Sequence, residues 1–107
     1  METGELRARA ICSVARALLG MVKPNMRCVF VSWADQAISV RVVYDDDFTQ
    51  SDIDDVDAIE TEMLADFFPD VNVECRAERL ASKQRVVPQG NEVMVFMRAE
   101  CNQYDEP

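Results

Sequence analysis

Twelve carboxylates crowd one stretch of this 107-residue chain. Between Val42 and Cys75 stand Asp45, Asp46, Asp47, Asp52, Asp54, Asp55, Asp57, Glu60, Glu62, Asp66, Asp70 and Glu74, with no Lys or Arg among them. The stretch carries −12 and the rest of the chain +3. Carboxylates at this density can hold a cation, share a proton as acid and base, or steer a basic macromolecule. The run Asp45-Asp46-Asp47-Phe48-Thr49-Gln50 faintly resembles a calcium loop. Gln50, however, stands where the sharp-turn glycine belongs, and Val56 where the bidentate glutamate belongs. Glycoside hydrolysis by paired carboxylates needs a cleft built by a larger chain.

Other chemistries lack their residues. The chain has no histidine, which argues against an ordinary triad, an imidazole base or a histidine metal ligand. Cys12, Cys28, Cys75 and Cys101 have long, unequal spacings and form no CxxC, so a zinc site is not expected. The first three fall in patterned segments and read as small apolar residues. Cys101 reads as exposed near the terminus. There is no glycine loop to cradle a phosphate and no basic stripe interleaved with aromatics. The net charge of −9 repels nucleic acid and attracts a basic protein. Solubility alone would also account for an acidic surface. Neither a cofactor nor catalysis is expected. No stretch is long or apolar enough to span a bilayer, and the charged start is unlike a signal peptide. The expected setting is the cytoplasm.

These acids must be held by a fold, and at 49% hydrophobic residues one domain over 1–107 has material for a core. Gly4–Val22 has helical spacing through Ile11, Val14, Ala15, Leu18, Met21 and Val22, and Pro24 closes it. Arg27–Trp33 reads as a strand. Ile38–Tyr44 is a second, with Ile38, Val40, Val42 and Tyr44 alternating against Ser39, Arg41 and Val43. Ala34–Ala37 is short enough for a hairpin connection.

Ser51 is a plausible N-cap for a second helix running to about Phe67. Its expected apolar stripe is Ile53, Val56, Met63, Leu64 and Phe67. Val71–Arg79 alternates again as a half-buried strand. Leu80–Asn91 reads as a mobile loop. Glu92–Arg98 is apolar enough for a central strand, and residues 99–107 read as a frayed tail. The expected fold is α+β, a two-layer sandwich of two helices on a mainly antiparallel four-stranded sheet, in the order αββαββ, with antiparallel pairing inside each hairpin.

On a helical wheel Asp55, Glu62 and Asp66 fall opposite the second helix's apolar stripe and should face water. Asp52, Asp54 and Asp57 crowd its start beside Asp45–Asp47. Acids there suit the macrodipole, yet no nearby Lys relieves their mutual repulsion. A basic partner would be steered to this face. Glu60 falls inside the stripe and needs a cation, either Arg41 or Arg27 of the hairpin or one from a partner. Tyr44 and Trp33 sit at strand ends, of types frequent in binding hot spots, and Trp33 also suits a core edge. The candidate partner-binding residues are Tyr44, Asp45, Asp46, Asp47, Asp52, Asp55, Glu60, Glu62 and Asp66. Lys83 and Arg85 give the late loop a basic character of its own.

The order of segments adds a resemblance. Arg27-Cys28-Val29-Phe30-Val31-Ser32-Trp33, then Ile38-Ser39-Val40-Arg41-Val42-Val43-Tyr44-Asp45, the acidic helix Ser51–Asp66 ending in Phe67-Phe68-Pro69, and Val95-Phe96-Met97-Arg98-Ala99-Glu100 together resemble the small immunity proteins of bacterial contact-dependent growth inhibition systems. The resemblance covers most of Arg27–Glu100. It implies an antitoxin that binds the C-terminal toxin domain delivered by a neighbouring cell, commonly a nuclease, and blocks it in the cytoplasm. A nuclease carries a basic cleft, which an acidic face would fill. Two other readings compete: an acidic adaptor or nucleic-acid mimic aimed at another basic protein, and a small enzyme or metal-binding domain.

Overall fold

Alternation along Ile38, Val40, Val42 and Tyr44 gives one strand a wholly apolar side, and that side must be covered. Covering it organises the molecule. The computed structural model describes residues 2–100. The elements are α1 (Thr3–Ala17), β1 (Met26–Ala34), β2 (Ala37–Tyr44), α2 (Gln50–Phe67), β3 (Asn72–Arg79) and β4 (Val93–Met97), in the expected αββαββ order. Both helices lie on one face of the sheet. Leu6, Ala10 and Val14 of α1 and Val56, Ile59, Met63 and Phe67 of α2 share one core with Val29, Val31, Val40, Val42 and Tyr44.

β1 and β2 pair antiparallel from Met26↔Tyr44 to Ala34↔Ala37, with a bulge between Met26 and Cys28. The two-residue loop Asp35-Gln36 has φ of 51° and 64°. Positive φ at both positions is the pattern of a type I′ turn, whose twist suits the strands it joins. No glycine announces it.

The other two strands depart from the expected hairpin. α2 has 18 residues, about 27 Å of helix, and so returns the chain to the end where β2 began. β3 then enters beside β2 in the same direction, in a parallel ladder from Ala37↔Asn72 to Tyr44↔Arg79. β4 pairs antiparallel with β1 at the far edge, giving the order β3-β2-β1-β4. The sheet is mixed, and β3 and β4 are its two edges. β4 is therefore not central, and its side chains are half-buried or exposed.

The helices differ in detail too. α1 stops at Ala17 rather than Val22, and Gly20 beyond it takes φ 80°, a left-handed conformation that costs glycine little. α2 starts after Thr49 instead of Ser51. Asp52 Oδ2 accepts the Thr49 backbone N–H at 2.9 Å, the return arm of a capping box. Ile53, expected in the stripe, is exposed, and Ile59 takes an inward place.

Connecting β3 to β4 takes residues 80–92 across the second face of the sheet. This segment is not a free loop. Val86 is buried in a second core with Cys28, Phe30 and Val43. Arg27, fully buried on β1, donates to the carbonyls of Leu80 (3.1 Å), Ala81 (2.9 Å) and Gln84 (2.8 Å). It also holds both carboxylate oxygens of Glu100, at 2.8 and 3.0 Å. Arg41 on β2 grips Glu92 with Nε (3.0 Å) and Nη2 (2.8 Å), Glu78 with Nη1 (2.5 Å) and the Val87 carbonyl (3.0 Å). Its guanidinium lies 4.4 Å from the Phe30 ring centre. Of the expected tail, Glu100 is thus tied to Arg27; residues 101–107, with Cys101, lie outside the described residues.

Two outcomes follow. Arg27→Met leaves three carbonyls without their donor and Glu100 with Arg98 Nε, at 3.0 Å, as its remaining cation, at a cost of about 3 kcal/mol. Urea denaturation measures that loss, and amide exchange across 80–91 should accelerate; an unchanged midpoint would mean the loop is held by other means. Gln36→Gly relieves a side chain in the left-handed region and should raise stability by about 1 kcal/mol in the same assay.

Candidate protein-binding surface

Turning Val56, Ile59, Met63 and Phe67 inward leaves Asp54, Asp57, Ala58, Thr61, Glu62 and Ala65 on the outer side of α2, all exposed. Among the described residues Asp54 accepts a side-chain hydrogen bond from Gln50 Nε2 alone, at 3.3 Å. Asp57 and Glu62 enter no ion pair among the described residues. Beside them runs the segment after α1. Leu19, 77% exposed, and Met21 form one wall of a groove of about 500 Å³ whose other wall is Ala58, Thr61 and Glu62.

The start of α2 holds a second acidic group. Asp45, Asp47 and Asp52 line a depression of about 390 Å³ together with Lys23 and Asn25. Relief from like-charge repulsion comes from outside the acidic stretch. Lys23 Nζ lies 2.7 Å from Asp52 Oδ1 and 2.8 Å from Asp55 Oδ2, and hydrogen bonding to the two carboxylates raises its affinity for its proton. Asp52 is 1% exposed and also accepts Asn25 Nδ2 at 2.8 Å. Burial alone would raise its carboxyl, but Lys23, the Thr49 N–H and Asn25 hold it below the usual range. Tyr44 lies fully buried, its ring centre 5.5 Å from that of Phe48. Burial, then the nearby Asp52 and Asp55 charges, pushes its phenol up to about 12.

The remaining expected contacts lie apart. Asp45 Oδ2 takes Arg98 Nη1 at 2.7 Å, and Oδ1 takes the Asp47 N–H at 3.0 Å. Against the pull of burial, these donors keep Asp45 below its usual range. Asp46 is exposed and accepts Ser82 Oγ at 3.1 Å, and Asp47 is exposed. Asp66 is not turned to open water. It pairs with Arg16 and accepts Ser13 Oγ at 2.6 Å, between the two helices. Glu60 finds neither Arg41 nor Arg27; its Oε2 accepts the Cys75 backbone N–H of β3 at 2.8 Å.

Tyr44, Asp45, Asp52, Glu60 and Asp66 therefore have structural work inside the chain. Asp46, Asp47, Glu62 and, in part, Asp55 present carboxylate to solvent, joined by Asp54 and Asp57. Leu19 and Met21 were not expected here, because Leu18–Val22 scans as one more helical turn. The usable signal was Gly20, which interrupts that turn. Burial pushes the Cys28 and Cys75 thiols up to about 12, so neither is a ready nucleophile. Among the described residues no group of three ligating side chains could hold a metal ion, and no helix is long and apolar enough to cross a membrane.

The model of one protein family, described as MafI2 immunity protein, matches residues 7–100. No curated protein matches the chain.

Asp45, Asp52, Glu92 and Glu100 are all held below their usual range. A carboxyl depressed in the folded state stabilises the fold above its unfolded pKa, and the benefit is lost as pH falls through the folded value. Stability should therefore be level near neutrality and drop below about pH 4. Asp52→Asn should lower the plateau and make the drop shallower. Urea midpoints across this range test it, and an acid limb identical to wild type would remove Asp52 from the account.

Proposed function

The chain belongs to the MafI2 immunity protein family, and from that premise we propose that it neutralises its toxin by laying the acidic outer face of α2 into a basic cleft. Membership supplies the toxin-neutralising role and a cognate toxin as partner. It implies an inhibitor rather than a catalyst. The surface is our own assignment.

One observation carries that assignment. Residues 43–74 hold no Lys or Arg, and the cations that reach the acidic stretch are already spent on Asp45, Asp52, Asp55 and Asp66. Asp54, Asp57 and Glu62 keep their charge on one helical face, with Asp46 and Asp47 near its start. Repulsion among such neighbours costs tenths of a kcal/mol per pair. A partner's cations would remove that repulsion on binding. A face of this kind fits an enzyme that grips a polyanion, so we read the toxin as a nuclease whose substrate cations are covered. The inhibitor then acts in the cytoplasm, on the C-terminal domain of a toxin delivered from outside, as in contact-dependent growth inhibition.

The test combines Asp54→Lys, Asp57→Lys and Glu62→Lys in one variant. All three positions are exposed, so folding stability should change by less than about 1 kcal/mol. Association with the toxin domain encoded beside this gene should slow about tenfold or more at low salt. The wild-type rate should itself fall as salt rises. An unchanged rate in the variant at low salt would place the contact elsewhere, and no complex with the wild-type chain would remove the reading.

A further inference from the structure

Resting on that reading, we infer that the groove between the Leu19–Met21 segment and α2 is the anchor pocket of the interface, taking a large apolar side chain that sits beside a Lys or Arg on the toxin. Leu19 follows the end of α1 and is 77% exposed. A leucine that open is usually a scattered surface residue. This one overhangs a groove of about 500 Å³. The opposing wall is made of small side chains, Ala58 and Thr61, which let another chain approach the α2 backbone closely.

The charge around the groove specifies what enters it. Glu62 lies on its rim, and the exposed Asp57 and Asp54 follow further back along α2, five and eight residues before it. Arg16, also at the rim, is tied to Asp66. An apolar centre with the unpaired Glu62 on its rim, and more acid along the same helix, complements an apolar residue that has a cation beside it. It does not complement a second copy of this chain, whose own α2 would bring more acid. The apolar contact and the acids should act on different steps. Long-range charge sets the association rate, whereas a desolvated anchor sets how long the complex lasts.

Two substitutions test the pocket. Leu19→Asn removes the wall without adding charge, and Ala58→Trp fills the space; both positions are exposed, so thermal midpoints should stay near wild type. Against the toxin domain encoded beside this gene, each should speed dissociation about tenfold or more, with the association rate and its salt dependence close to wild type. Wild-type dissociation in both variants, while the triple charge reversal still slows association, would overturn the pocket and leave the acidic face standing. A chain that sediments as a dimer and becomes monomeric with Leu19→Asn would also overturn it, by showing that a second copy fills the groove. Failure of the wild-type chain to bind the toxin domain would sink both.

Discussion

Two buried guanidiniums decide the shape of half this molecule. A charged side chain on an inner strand is costly unless its donors are satisfied. Arg27 and Arg41 find their acceptors in the connection from β3 to β4, at Glu78 on β3 and at Glu100 beyond β4. Arg27 uses five hydrogen bonds, as many as a guanidinium has N–H donors. The segment 80–92 therefore has to cross the second face of the sheet and deliver carbonyls and carboxylates to fixed points. Once it does, β4 is placed beside β1 and a hairpin between β3 and β4 is out of reach. The buried Val86 then completes an apolar patch that no helix covers.

Charge is arranged with similar long reach on the helical side. The acidic stretch has no cation of its own, and Arg16, Lys23 and Arg98 come to it from α1, the α1–β1 connection and the chain beyond β4. They neutralise the acids at both ends of α2. The middle of its outer face keeps its carboxylates. On the proposed reading, that face is stable when free and better satisfied when a partner's cations meet it.

What the residues reveal by themselves depends on how local the deciding force is. Alternation in Ile38–Tyr44 and in Val71–Arg79 is enough to place both strands and their inward sides. The apolar stripe of α2 reads correctly at Val56, Met63 and Phe67. Ile53 misleads because the helix begins at a Thr49 cap, and in its first turn the inward place goes to Asp52, which the cap holds. The direction of β3 is a property of the length of α2, and β3's own residues do not encode it. Arg27 and Arg41 look like ordinary strand charges until Glu100 and Glu92, far along the chain, are seen to meet them. The same holds for the site. Clustering of acids is visible in the sequence, but which of them remain unpaired depends on three cations from outside the cluster.

The hydrogen bond from Cys75 to Glu60 has a consequence for behaviour in the crowd. β3 is an open edge, the kind of border along which strands of neighbouring molecules add to one another. At its middle, the outward N–H of Cys75 is already taken by a carboxylate, so an arriving strand would meet negative charge where it needs a donor. Masking that N–H takes away one of the points at which a strand from another copy could bond.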